Sequence, residues 1–77
     1  MGANLEEKYD LLRCLLVEAR TTADLKQADV AEMLGRPQSY VSKIERGERG
    51  VDVIEFIEIT RAIGCDPIKL LKKLADK

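Results

Sequence analysis

Residues 27–47 read QADVAEMLGRPQSYVSKIERG, and the punctuation of this stretch decides the fold. Val30, Ala31 and Leu34 recur at steps that place side chains on one helical face, with Asp29 and Glu32 on the other, so a helix is predicted over 26–34. Gly35 follows as a C-terminal residue able to take positive φ. Two residues later Pro37, whose ring fixes φ, suits the first position of a new helix. That helix, over 37–46, carries Val41 and Ile44 inward and leaves Gln38, Ser39, Ser42 and Lys43 outward. Gly47 ends it.

Upstream, Leu5 to Arg20 predicts a long helix. Tyr9, Leu12, Leu16 and Ala19, with Leu5, Cys14 and Leu15 alongside, follow three- and four-residue steps. Thr21-Thr22-Ala23-Asp24 is rich in turn formers and ends it. Downstream, Glu48 to Val51 is a loop. Asp52 and Glu55 form a capping pair for a helix over 52–63, which carries Val53, Phe56, Ile57, Thr60 and Ile63 and stops at Gly64. Asp66-Pro67 reads as cap plus first-turn proline for a last helix over 67–75. The expected fold class is all-α: a compact five-helix domain spanning 1–77, with short connections and no strand.

The pair of helices around Gly35 carries the functional signal. Ala31 is small enough to let the second helix approach the first, and Val41 and Ile44 tie that helix to the core while its other face stays free. This is the signature of a helix-turn-helix, whose second helix enters the major groove of DNA. Bulk properties narrow the alternatives. The chain has 77 residues, no histidine, two cysteines and a net charge of −1. Without histidine, and with Cys14 and Cys65 far apart, a Cys/His metal site is not expected, and the cysteines read as small apolar packing residues. No cofactor is expected. No catalytic constellation is available, so an enzyme is not expected. No apolar run approaches the roughly 20 residues of a membrane span, and no secretion signal opens the chain, so a cytoplasmic location is expected. A charge of −1 argues against indiscriminate coating of nucleic acid but not against basic residues gathered on one face. Lys26, Arg36, Lys43, Arg46 and Arg49 would gather there, with Asp52, Glu55 and Glu58 turned away on the fourth helix.

From Arg20 with Gln27, through Val30-Ala31-Glu32-Met33-Leu34-Gly35 and Tyr40-Val41-Ser42-Lys43-Ile44-Glu45-Arg46-Gly47, to Ala62-Ile63-Gly64, the chain resembles the phage Cro/repressor-type (Xre) helix-turn-helix regulators in one register over roughly fifty-five residues. The resemblance implies a five-helix lambda-repressor-like fold that binds a double-stranded, palindromic DNA operator as a homodimer. Carried over by position, Gln38, Ser39, Ser42 and Lys43 are implied as base contacts, the last two as base or backbone contacts; the amide of Gln38 suits adenine and Lys43 could reach guanine or simply a phosphate. Gln27, Tyr40 and Arg46 are implied as phosphate contacts, and Lys26, Arg36 and Arg49 are expected to join them by their charge on the same face. Gln27 also braces the recognition helix, and Tyr40 lies on the backbone side of the groove using its hydroxyl. Arg20 and Glu45 are implied as a structural ion pair between the first and third helices.

Three positions depart from the family pattern. Lys26 stands where a capping Ser or Thr is usual, Asp24 where glycine is common, and Pro37 where a capping hydroxyl is common. Helix four carries more apolar residues than one stripe buries, which points to a two-fold dimer contact involving Val51 and Ile54 with help from helix five. Antitoxins and restriction-system controllers share the architecture. A protein-interaction module that uses the apolar helix-four surface is the alternative from a different functional class.

Overall fold

The computed structural model describes residues 4–76. It contains five helices in the order α1 (Leu5–Thr22), α2 (Gln27–Leu34), α3 (Gln38–Glu45), α4 (Val53–Ile63) and α5 (Pro67–Ala75). No strand occurs among the described residues.

Each boundary has a local cause. The Asn4 side chain accepts from the Glu7 backbone N–H at 2.9 Å, and Glu6 and Glu7 sit in the first turn where negative charge suits the helix dipole. α1 runs two residues past the expected Arg20. Thr21 does not turn the chain, because its hydroxyl donates back to the Val17 carbonyl at 3.0 Å and stays within the helical ladder. Asp24 then takes φ 59°, a left-handed conformation that Asp tolerates better than most side chains. The usual glycine there is thus replaced by the next most tolerant chemistry. Gly35 closes α2 at φ 66°, and the Arg36 N–H reaches back to the Ala31 carbonyl at 2.9 Å in a Schellman-type end. At α4 the Asp52 carboxylate accepts from the Glu55 N–H at 2.7 Å while Glu55 accepts from the Asp52 N–H at 3.0 Å, a complete capping box.

Lys26 and Pro37 lie just outside their helices as N-caps, not inside them. Neither supplies a side-chain cap. At Lys26 the Asp29 carboxylate covers half the need by accepting from the Lys26 N–H at 2.8 Å.

The core is one cluster: Leu16 from α1, Val30 and Ala31 from α2, Tyr40, Val41 and Ile44 from α3, Phe56, Ile59 and Ile63 from α4, and Leu70 from α5. Thr60 is fully buried beside them, its hydroxyl donating to the Phe56 carbonyl at 2.9 Å. Four apolar expectations fail. Leu5 and Tyr9 are exposed because the first turns of α1 project beyond the core, Cys14 is exposed among half-buried neighbours in the middle of α1, and Val53 is exposed at the start of α4. Cys65 is half-buried against the core, and that burial, followed by nearby Asp66, pushes its thiol up. No helix of the described residues is long and apolar enough to cross a membrane.

Candidate nucleic-acid interface

α3 is anchored along one side and open along the other. Tyr40, Val41 and Ile44 are buried at positions i, i+1 and i+4, which defines a single inward face. Gln38, Ser39 and Lys43 are exposed and Ser42 is half-buried. The Ser42 hydroxyl is not aimed outward, since it donates to the Ser39 carbonyl at 3.3 Å. An eight-residue helix is about 12 Å long, close to the width of the DNA major groove.

The C-terminal end of α3 is clamped from α1. Arg20 pairs with Glu45 through Nε–Oε2 at 2.6 Å and Nη2–Oε1 at 2.9 Å, and its Nη1 donates to the Leu25 carbonyl at 2.8 Å. The two side chains are only 13% and 10% exposed. Gln27 completes the site: its Nε2 donates to Glu45 Oε1 at 2.8 Å, and its own Oε1 accepts from Gln38 Nε2 at 3.4 Å. Gln27 therefore links α2, the buried pair and the first outward residue of α3. Both ends of its amide are thus engaged within the protein.

Arg13 escaped the sequence reading. It lies one face-repeat before Arg20 on α1 and donates from Nη1 to the Glu45 carbonyl at 3.3 Å, so a second cation meets the C-terminal end of α3. The seven-residue spacing of Arg13 and Arg20, two turns of one helix, is the signal that could have found it.

The basic residues divide into engaged and free. Lys26, Arg36, Lys43 and Arg46 are exposed. Arg46 pairs with Glu48 at 2.6 Å, an exposed contact that holds the Glu48 carboxyl below its usual range. Arg49 departs from its expected place. It forms a bidentate pair with Glu55, Nη2–Oε2 at 2.8 Å and Nη1–Oε1 at 3.2 Å. Those bonds, with the Asp52 N–H next, bring the Glu55 carboxyl down to about 2. Glu55 is accordingly not turned away from the basic residues. It sits under them.

Tyr40 is the clearest correction. Its ring is 8% exposed and belongs to the core, so it does not lie on the backbone side of a groove. Burial, then the Glu55 carboxylate, pushes the phenol above its ordinary range, so it stays protonated. The guanidiniums of Arg36 and Arg49 lie over its ring, 4.7 Å and 4.6 Å from the centroid. The sequence pattern missed this stack because Val41 and Ile44 alone satisfied the inward spacing of α3. Val51 is half-buried and Ile54 is 64% exposed. Ile68 and Leu71 of α5 are exposed as well.

Comparison with known proteins places this geometry. A helix-turn-helix family profile matches residues 16–70. An XRE-family like protein from Pseudomonas syringae pv. tomato is 51% identical, with a TM-score of 0.89 over 92% of this chain and 87% of that one. The restriction-modification controller C.AhdI from Aeromonas hydrophila is 31% identical, with a TM-score of 0.73 over 80% of this chain and 94% of that one. The clp gene regulator ClgR from C. glutamicum, at 22% identity and a TM-score of 0.79 over 90% of each chain, shares the fold. No curated protein matches the chain. The half-open α3 behind its glycine turn, the family match over most of the chain and the closely similar structures agree: the chain belongs to the XRE family of helix-turn-helix DNA-binding regulators.

Proposed function

We propose that this regulator is a dimeric repressor that reads a palindromic double-stranded DNA operator through α3. The observation that carries the reading is the one-sided anchoring of α3: Tyr40, Val41 and Ile44 are in the core while Gln38, Ser39 and Lys43 face out. Gln38 pairs with a base edge, adenine being the best match for an amide that donates and accepts. Ser39 and Lys43 contact neighbouring bases, and Ser42 joins them once its hydroxyl turns from the Ser39 carbonyl. Lys26, Arg36 and Arg46 contact phosphates and fix the register, a role that carries no sequence information itself. Arg46 exchanges its exposed pairing with Glu48 for phosphate at little cost, because exposed ion pairs contribute little. Tyr40, Arg49 and Gln27 support these contacts from behind.

One short helix reads only a few base pairs, so tight binding calls for two. Val51 and Ile54, with Ile68 and Leu71 of α5, form the two-fold contact that sets two copies of α3 about 34 Å apart, one turn of DNA. Titration of the full chain with duplexes from a random pool, across a range of salt, tests the reading. Strong preference for one symmetric sequence, with affinity falling steeply as salt rises, is expected. Salt-insensitive capture of a protein in place of DNA would favour an interaction module built on the apolar surface of α4.

A restriction-system controller is the particular setting favoured by the 31% identity with C.AhdI; an antitoxin is the other. A restriction gene pair or a toxin gene beside this one separates them.

A further inference from the structure

Two cations lie over one aromatic ring, and only one of them has a carboxylate. Arg36 and Arg49 are each within 4.7 Å of the Tyr40 centroid. Glu55 fixes one of them by pairing bidentately with Arg49. Among the described residues Arg36 has no ion pair. Glu55 is itself fixed, since it accepts from the Asp52 N–H at the start of α4. The Arg36 backbone is fixed by its bond to the Ala31 carbonyl at the end of α2. A chain of contacts thus runs from the α4 capping box through Arg49 and Tyr40 to a guanidinium at the turn between α2 and α3.

We propose that Arg36 is the phosphate clamp of the turn and that Tyr40, Arg49 and Glu55 are positioning residues that hold its guanidinium in place over the ring. The proposal rests on the DNA-binding reading above and deepens it. A guanidinium lying on a ring keeps its N–H edge free for two oxygens of one phosphate, a geometry an ammonium cannot copy. Stacking also removes rotamer freedom before DNA arrives, so less is lost on binding. Glu55 acts at a distance: it never meets the phosphate, yet it holds Arg49 on the ring that Arg36 also lies over.

The test measures binding of the full chain to a mixed-sequence duplex across salt concentrations, with melting temperatures alongside. Arg36→Ala should weaken binding roughly tenfold and reduce the salt slope by about one. Arg36→Lys should restore the slope without restoring the affinity. Glu55→Gln should weaken binding of the otherwise unaltered chain and change nothing further once Arg36 is alanine. A merely structural Glu55 would instead lower affinity equally in both backgrounds, and that result would overturn the proposal. Full rescue by Arg36→Lys would overturn it too, since charge alone would then suffice. An unchanged Arg36→Ala variant, with normal binding by the unaltered chain, defeats this proposal alone. Failure of the unaltered chain to bind any duplex defeats the DNA-binding reading with it.

Discussion

Glu55 shows how much a single side chain can carry without touching a ligand. Its carboxyl titrates at about 2 against an ordinary 4.5, chiefly through Arg49 and then the Asp52 N–H. A carboxyl depressed by the fold stabilises it fully above the ordinary value, and that stabilisation is lost as pH falls through the folded value. Melting temperature should therefore decline between pH 4.5 and about 2, and Glu55→Gln should flatten that limb; identical limbs in both proteins would contradict the pairing. Gly35 is a purely conformational case. A Cβ placed there meets nothing within 4 Å, so only its φ of 66° opposes substitution. Gly35→Ala should cost about 1 kcal/mol by denaturant unfolding. Asp24→Gly, at φ 59°, should instead be neutral or gain a few tenths of a kcal/mol. These backbone positions were legible in the sequence because glycine and its substitutes mark positive φ. The outward set Gln38, Ser39 and Lys43 was legible from helical period alone. Tyr40 and Arg49 were not, because their partner Glu55 comes from another helix and periodicity records only which face a residue occupies.

At the scale of helices, the clamp between α1 and α3 controls how α3 is presented. Arg20 and Glu45 exchange two charge-assisted bonds out of water, and Gln27 and Leu25 satisfy the remaining polar atoms. Removing one partner strands the other charge, so Arg20→Ala or Glu45→Ala should each cost about 3 kcal/mol. The double truncation should cost less than the sum, and additive losses in a double-mutant cycle would deny the coupling. The start of α2 offers the opposite change. Asp29 already supplies one half of a capping box at Lys26, so Lys26→Ser should complete it and add about 1 kcal/mol. The same substitution removes a cation from the proposed DNA face, so stability and affinity should move in opposite directions. Helix order and most ends followed from caps and turn residues. The misses were Thr21, whose hydroxyl bonds back into α1, and the first turns of α1, whose apolar residues share the periodic stripe but extend past anything to pack against.

For the whole molecule, a net charge of −1 and DNA binding are compatible only if basic residues are segregated. Lys26, Arg36 and Lys43 are exposed around α3 with no carboxylate paired to them among the described residues, while Arg49 is neutralised by Glu55. Local attraction is thus confined to a small face, which favours a chosen site over general coating. The exposed Ile54, Ile68 and Leu71 predict self-association: sedimentation should show a dimer at micromolar concentration or on DNA, and Ile54→Lys should weaken it. The most direct test of the outward face of α3 is enrichment of duplexes from a fully random library, done in parallel with the unaltered chain and with Gln38→Ala. A two-fold symmetric sequence should emerge from the first, and the second should relax it at one base pair in each half while melting at the same temperature. Libraries that stay random, or two identical sequences from the two proteins, would contradict base reading by this helix.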